Sequence, residues 1–147
     1  MAHVLSENAK LYYNTGSYAS PTWTEVTLVK DVTLNLEKDE IDLTTRSSGG
    51  IKEFADGLID ASIDFNHLWD ASDTVFTALQ TAFFAKTAEE FLCLDGSSAT
   101  SGNQGLRATC MIKNFTRNEA LGEALSVDIN IKPVKNSDAA PAWYTVP

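Results

Sequence analysis

The sequence predicts a mainly β fold, an antiparallel β-sandwich or half-open barrel of seven or eight strands with one flanking α-helix at about residues 71–87. Three observations predict it. Residues 59–69 alternate between apolar and polar side chains, the period of a half-buried strand. Other short runs rich in Val, Thr, Ile and Leu are separated by Gly, Asn and Asp turn signals. Residues 70–88 change to helical spacing, with an apolar stripe along one side.

The composition fits one domain spanning residues 1–147. Of the 147 residues, 44% are hydrophobic and 21% are charged, a balance that supports a single core. Eleven basic and twenty acidic side chains give a formal net charge of −9. Stable binding of DNA or of an anionic membrane through a basic patch is therefore not expected. Transient passage of DNA along the protein without binding remains compatible with this charge. With no recognisable secretion signal or membrane span, we expect synthesis in the cytosol.

The N-terminal part predicts an arm followed by strands. Residues 1–9 are polar and unpatterned, and we expect an arm that becomes ordered on binding. Strand-like runs follow at residues 11–14, 23–29, 32–37 and 41–46. The second and third runs can form one strand bent near residue 30, whereas Lys38-Asp39-Glu40 predicts a tight turn before the fourth.

The stretch from Arg46 to Gly57 is the longest connection between strong strand runs. Hairpin loops usually have about two to five residues, and longer loops in compact domains are usually functional or mobile. Exposing the apolar side chains of Ile51 and Phe54 to water does not stabilise a free loop, so we predict that this loop packs against another surface. A flexible, solvent-exposed loop is the alternative. The candidate contact residues are Arg46, Gly49, Gly50, Ile51, Lys52, Phe54 and Gly57.

The polar side of the 59–69 strand carries only short side chains. Asp60, Ser62, Asp64 and Asn66 alternate with the apolar residues and include no Lys or Arg. Other strand runs repeat this bias at Asn35, Glu37, Asp42, Thr44, Ser126, Asp128 and Asn130. An ordinary exposed face mixes long charged side chains of both signs, so this face favours a wall along which a polyanion slides. A solvated sheet face in an acidic protein is the alternative.

The C-terminal half predicts the helix, three further strands and an extended tail. The helical stripe is formed by Val75, Phe76, Leu79 and Phe83. Asp70 or Ser72 can cap the helix, with Asp73 in its first turn. Strand runs follow at residues 91–94, 106–115 and 125–134, and the tail at 135–147 carries Trp143 and Tyr144 as aromatic anchors.

No catalytic, metal-binding or cofactor-binding constellation is predicted. The cysteines and histidines stand alone, at Cys93, Cys110, His3 and His67. Both cysteines lie in apolar strand runs, which favours buried free thiols over a disulfide. His67 occupies an inward strand position, as a core or interface histidine does. Asp60 and Asp64 would be about 13 Å apart along one strand, too far for an acid–base carboxylate pair.

Three segments together resemble the major tail tube proteins of long-tailed bacteriophages and phage-like particles. They cover residues 11–50, 65–91 and 105–133. Their order of strands, a long glycine-bearing hairpin loop, a strand, one helix and closing strands is similar to that family. The resemblance implies a structural virion protein, not an enzyme, whose subunits form hexameric rings. The rings would stack into a tube through which the genome leaves, an architecture shared with type VI secretion tubes.

The resemblance also implies partners and roles for the candidate residues. The partners would be further copies of the chain, with tape-measure, tail-terminator and baseplate or tip proteins; DNA would pass without specific binding, and assembly would occur in the bacterial cytoplasm. The loop 46–57 would contact the adjacent ring, while the arm and the tail with Trp143 and Tyr144 would become ordered on assembly. The channel would be lined by Glu37, Asp42, Asp60, Ser62, Asp64, Asn66 and Asp128. A decoration or adhesion module of a phage particle is the alternative, and it leaves the acidic strand face unexplained.

Overall fold

Eight antiparallel strands and one α-helix make up the part of the chain that the computed structural model describes, residues 3, 5–134 and 141–147. The strands are β1 Lys10–Asn14, β2 Trp23–Glu25, β3 Val29–Asp42, β4 Phe54–Leu68, β5 Glu89–Leu94, β6 Gln104–Asn118, β7 Ser126–Pro133 and β8 Ala142–Thr145. The helix is α1 Thr74–Ala85, and single 3-10 turns occupy Ser6–Asn8 and Arg46–Ser48. The predicted mainly β class with one helix is confirmed.

All eight strands belong to one sheet: seven follow the order β2-β1-β5-β6-β7-β4-β3, and β8 lies off this path and pairs with β6. The 15-residue β6 joins the two halves of the sheet. Its first part pairs with β5 on one edge and β8 on the other, and its second part pairs with β7. The sheet therefore bends around β6 but does not close, because its end strands β2 and β3 do not pair with each other within the described residues.

The helix covers the apolar side of the sheet. Its buried residues are Val75, Phe76, Leu79 and Ala82. The ring of Phe76 lies between those of Trp69 and Phe115, with centroids at 5.0 and 5.8 Å. Fully burying such a side chain stabilises the fold by about 1.5–3 kcal/mol. This helix, with 12 residues, is too short to cross a membrane, and the described residues contain no longer one.

The helix cap differs from the prediction. Asp73 is the N-cap, and its carboxylate accepts a hydrogen bond from the Val75 N–H at 3.4 Å. Asp70 instead accepts hydrogen bonds from the backbone and hydroxyl of Ser72, at 2.9 and 2.6 Å. The predicted caps Asp70 and Ser72 are therefore wrong, because these two residues form their own turn just before the helix.

The predicted turn at Lys38-Asp39-Glu40 is also wrong, since β3 runs through it to Asp42. Pairing with β4 holds these residues extended: Lys38 pairs with Ile59, and its ammonium lies 3.4 Å from the Asp56 carboxylate. One extra residue on β4 shifts the register between Lys38 and Glu40. At Gly57 a Cβ would come within 2.8 Å of the Asp39 Cβ, so the close approach at this bulge requires glycine.

The loop and the tail also differ from their predicted bounds. Since β4 begins at Phe54, the β3–β4 connection covers residues 43–53, and residues 54–57 of the predicted loop are strand. Residues 142–145 pair with β6 within one chain, so the expectation that the whole tail becomes ordered only on assembly is wrong for them. The other predictions about the arm and the tail concern in part residues 1, 2, 4 and 135–140, which lie outside the described part.

The prediction of free thiols is confirmed for both cysteines, and the prediction of burial is confirmed for Cys110, whereas Cys93 is only half-buried. Cys110 is fully buried in the main core, and this burial raises the pKa of its thiol to about 12. Burial also raises the pKa of the half-buried Cys93 thiol. Both groups are therefore inert side chains that fill space.

Candidate functional site

One face of the sheet, across β3, β4, β7 and β6, carries almost nothing but short polar side chains. This polar face comprises Asp31, Thr33, Asn35 and Glu37 on β3; Asp60, Ser62, Asp64 and Asn66 on β4; Ser126, Asp128 and Asn130 on β7; and Asn114, Thr116 and Asn118 on β6. Register brings them together, because Asp64 pairs with Thr33 on one side and Asn130 on the other. All except Glu37 are Asp, Asn, Ser or Thr, and the middle of the face holds a hollow of about 350 Å³.

Asparagine amides hold the two central carboxylates of the polar face. Asp128 accepts hydrogen bonds from the Nδ2 atoms of Asn66 at 2.7 Å and Asn118 at 2.6 Å. These bonds lower the pKa of Asp128 below its ordinary value, Asn66 contributing most. Asp64 likewise accepts from Asn130 and, at 3.3 Å, from Asn35. Asparagine amides therefore hold both carboxylates along the sheet, which makes the face smooth as well as acidic.

One lysine borders the polar face. The Lys132 ammonium lies 3.9 Å from the Asp60 carboxylate, and both side chains are about half exposed or more. At this distance and exposure the ion pair contributes only about 0–1 kcal/mol to the free energy of unfolding. The five carboxylates of the face against this single ammonium leave a formal charge of about −4 per subunit.

The structure brings together six of the seven residues predicted to line a channel. Asp42 is the exception: it lies five residues beyond Glu37 on β3, and alternation turns it to the opposite side. Hydrogen bonding by the Thr44 side chain and backbone N–H lowers its pKa and fixes it at the hairpin turn. Sequence reasoning missed Asp31, Thr33, Asn114, Thr116 and Asn118. The alternation of residues 114–118 is the available signal, but the predicted strand ends at residue 115.

The β3–β4 hairpin forms a second surface, which projects beyond the rest of the sheet. β7 covers β4 only from Ile63 onward, so among the described strands residues 54–62 pair with β3 alone, over about 30 Å. The hairpin exposes large apolar side chains at Leu36, Ile41, Leu43, Ile51, Phe54, Leu58 and Ile59. Such a concentration of exposed apolar side chains marks a protein–protein contact surface.

The turn of this hairpin contains the glycine pair. Gly49 and Gly50 have φ of 69° and 84°, a region that other residues adopt only with strain. Ile51 beyond them is 72% exposed, and Phe54 is 61% exposed. Arg46 and Lys52 are also exposed, whereas Gly57 lies in the β4 bulge. Within the described part of the subunit, therefore, no residue covers Ile51 and Phe54, the apolar residues that the sequence singled out in this loop.

The two aromatic residues of the tail have different surroundings. Trp143 is 58% exposed, and its indole Nε1 donates to the Gln104 side chain at 2.8 Å. Tyr144 packs against a small second core. This core contains Tyr12, Leu92, Leu94 and Val146, with Trp23 and Tyr144 at its border. Only Trp143 of the two predicted anchors is thus presented outward.

His67, which has a side chain capable of catalysis, is held in the core by structural contacts. His67 is fully buried, with Nδ1 2.6 Å from the Leu68 carbonyl oxygen and Nε2 3.5 Å from the carboxylate of the helix cap Asp73. It therefore joins β4 to the start of the helix, as expected of a core histidine. Across the described residues, no three His, Cys, Asp or Glu side chains are placed to hold a metal ion.

Comparison with known proteins gives a consistent result. A family model described as phage tail tube protein matches residues 8–133. No curated protein sequence matches the chain. Among solved structures, a chain from the virion of a native gene transfer agent particle has a TM-score of 0.74 at 13% identity, covering 95% of this chain and 98% of that one.

Two further structures share the fold. A chain from the tail of an empty gene transfer agent particle, refined with C6 symmetry, has a TM-score of 0.73 at 16% identity, covering 97% of this chain and 98% of that one. The SPP1 tail tube has a TM-score of 0.73 at 10% identity, covering 97% and 80%. Because the family model covers most of the chain, this protein belongs to the phage tail tube protein family, as a structural, non-enzymatic component of the tail.

Proposed function

We propose that the chain assembles into six-membered rings, that the rings stack into a tail tube, and that DNA leaves along the polar face. The observation that carries the proposal is a four-stranded, smooth, acidic face on a sheet with unpaired edges. The number six is taken from the C6 symmetry of the similar gene transfer agent tail. Further copies of the chain are the principal partners.

The free edges of the polar sheet can close the ring. The outer edge of β3 has no partner among the described strands, and β6 residues 111–118 pair with β7 on one edge only. Pairing the first edge with the second edge of a neighbour continues the sheet from subunit to subunit. Six subunits with four strands each give a barrel of about 24 strands, and barrels of about 16–18 strands already enclose an aqueous channel. Closure also removes the exposed edges that would otherwise aggregate.

The charge of the polar face suits passage of DNA. With about −4 per subunit, a six-membered ring carries about −24 on its inner wall. DNA carries one negative charge per about 1.7 Å of its axis, so the wall repels it and offers few ammonium groups to hold phosphate. Screening over about 8 Å at physiological salt confines the repulsion to the layer next to the wall.

The projecting hairpin supports stacking. Its apolar residues, including Ile51 and Phe54, would be buried against the adjacent ring, and exposed Trp143 would contribute to the same junction. The tape-measure, tail-terminator and baseplate or tip proteins would then meet the inside and the two ends of the tube. We infer assembly of this tube in the cytoplasm of the bacterial host.

Electron microscopy of the purified protein tests the proposal. At rising concentration we expect rings and then tubes with sixfold end views, together with a concentration-dependent rise in sedimentation coefficient. A decoration or adhesion module would leave the apolar hairpin exposed and stay small. A protein that remains monomeric at every concentration, and that is also not recruited onto preformed tail initiators, would refute the proposal.

A further inference from the structure

The turn at the end of the β3–β4 hairpin, residues 44–52, is basic as well as apolar, and we call it the tip. It contains Arg46 and Lys52 but no Asp or Glu. Neither cation forms an ion pair with a described residue. Ile51, next to Lys52, is 72% exposed. In a chain with a net charge of −9, this local positive charge favours contact with an acidic surface.

Hydrogen bonds within the hairpin fix the shape of the tip. The Thr44 hydroxyl donates to the Glu53 carbonyl at 3.2 Å and accepts from the Glu53 N–H at 2.9 Å. The Thr45 N–H donates to the Ser48 hydroxyl at 3.0 Å, and the Ser48 N–H donates to the Thr45 carbonyl at 3.1 Å. The tip is therefore ordered before it meets a partner, which reduces the conformational entropy lost on docking.

The opposite end of β4 leads into an acidic surface, which we call the base and which comprises residues 69–73 and 119–125. These residues include no Lys or Arg, and their acidic members are Asp70, Asp73, Glu119 and Glu123. Asp73 and Glu119 lie 3.5 and 3.2 Å from His67 and Arg117. Asp70 and Glu123 form no ion pair within the described residues. Hydrogen bonds from Ser72 lower the pKa of Asp70, which favours its charged form.

Leu121 is the apolar residue of the base, and its side chain is fully exposed at 104%. It lies in a turn closed by the Glu123 N–H and the Ala120 carbonyl at 3.2 Å. The Trp69 N–H donates to the Leu125 carbonyl at 2.9 Å, which joins the two connections of the base. The base therefore presents one apolar side chain on a fixed turn beside carboxylates that lack a cation.

The tip and the base of one subunit lie at opposite ends of β4. This strand runs from Phe54, next to the tip, to Leu68, next to the base, about 46 Å at about 3.3 Å per residue. A contact between the two surfaces therefore joins two copies displaced along the strand direction. Such a contact is heterologous and repeats head to tail.

We propose that the tip of each subunit docks on the base of a second copy of this chain in the next ring. The inference rests on the proposed function and names the surface that receives the hairpin. Ile51 packs against Leu121, which brings Lys52 beside Glu123 and leaves Arg46 for Asp70. Stacking tip to tip or base to base would place like charges together, so the contact also gives all rings one direction along the tube.

Charge reversal tests the contact between Lys52 and Glu123. Lys52→Glu places a carboxylate on the tip, Glu123→Lys places an ammonium group on the base, and the double variant restores attraction with the charges exchanged. Lys86→Glu is the matched control, because Lys86 is exposed, follows the end of α1 and forms no ion pair within the described residues. All three side chains are exposed, so every variant should melt at the wild-type temperature.

The measured quantity is the protein concentration for half-maximal tube assembly at low salt. We expect each single variant of the contact to raise it about tenfold or more, the control to change it by less than about twofold, and the double variant to return to within about threefold of wild type. The differences should shrink as salt rises, because exposed charges are screened. Single variants that assemble like wild type, or a double variant no better than either single variant, would overturn the proposal.

Cross-linking tests the apolar contact and identifies the receiving surface. An Ile51→Cys, Leu121→Cys double variant, treated as tubes with a short bismaleimide, should give a ladder of covalent chains longer than dimers. Each single variant, treated in the same way, should give the wild-type pattern without a ladder. Tubes of the double variant without a ladder, or dimers formed equally by Leu121→Cys alone, would refute the docking while leaving the tube function intact. Failure of wild-type protein to form any tube would instead refute the proposed function.

Discussion

Reversing charges on the polar face tests whether it is the wall along which DNA moves. The double variant Asp60→Lys, Asp64→Lys replaces two carboxylates by two ammonium groups in every subunit. The formal charge of the face then changes from about −4 to about 0, and the number of lysines per six-membered ring rises from about 6 to about 18. Each lysine that meets a phosphate releases a counterion and steepens the salt dependence of DNA binding by nearly one unit of log K against log [salt].

The subunit should tolerate these changes. Asp60 is 64% exposed and engaged only by Lys132 at 3.9 Å, so its replacement should change the free energy of unfolding by about 0.5 kcal/mol or less. Asp64 accepts two asparagine amides that water can reach after substitution, so its loss should cost about 1 kcal/mol. Normal circular dichroism and normal tubes in electron micrographs would establish that the fold and assembly persist.

The assay compares DNA release from particles built entirely with each variant. A matched control, Asp60→Asn with Asp64→Asn, removes the two negative charges without adding cations. We expect the lysine variant to release DNA slowly at low salt and to recover as salt rises, while the asparagine variant stays close to wild type. Release by the lysine variant at the wild-type rate at low salt would refute the assignment of this face to the channel. Failure of the tube to form would show that the face is a subunit contact.

Three further predictions follow from other parts of the molecule. Ile51→Ser with Phe54→Ser should leave the melting temperature of the subunit unchanged, because both side chains are exposed, yet abolish tubes in sedimentation; normal tubes would mean that the hairpin turn makes no contact. Arg107→Met should lower the free energy of unfolding in urea by about 3 kcal/mol, since it leaves the buried Glu90 carboxylate without the cation 2.9 Å away; adding Glu90→Gln should recover much of the loss, and no recovery would contradict the pairing. The Cys110 thiol, with its pKa raised to about 12, should resist thiol reagents at pH 8 until the protein unfolds, and the fold should lose stability as the pH rises above about 9, because only the unfolded chain ionises freely there; rapid labelling of native protein would contradict its burial.

The sequence by itself determined the elements whose pattern is local. The alternation of residues 59–69 specifies a strand with one apolar and one polar side, and the spacing from Val75 to Phe83 specifies a helix, because each period is set within a few neighbouring residues. The smooth polar side of β4 and the exposed apolar residues Ile51 and Phe54 were also evident in the sequence. These features were sufficient to indicate the class of fold and the family resemblance.

Only the tertiary structure decided what pairs with what. The turn signal at residues 38–40 was overridden by the β4 strand opposite, and the loop became shorter because Phe54 joined that strand. Asp128 is held by Asn66 and Asn118, of which Asn66 is 62 positions away in the chain. No local pattern encodes such a partner, because register depends on which faces are buried together and on where each strand finds an edge.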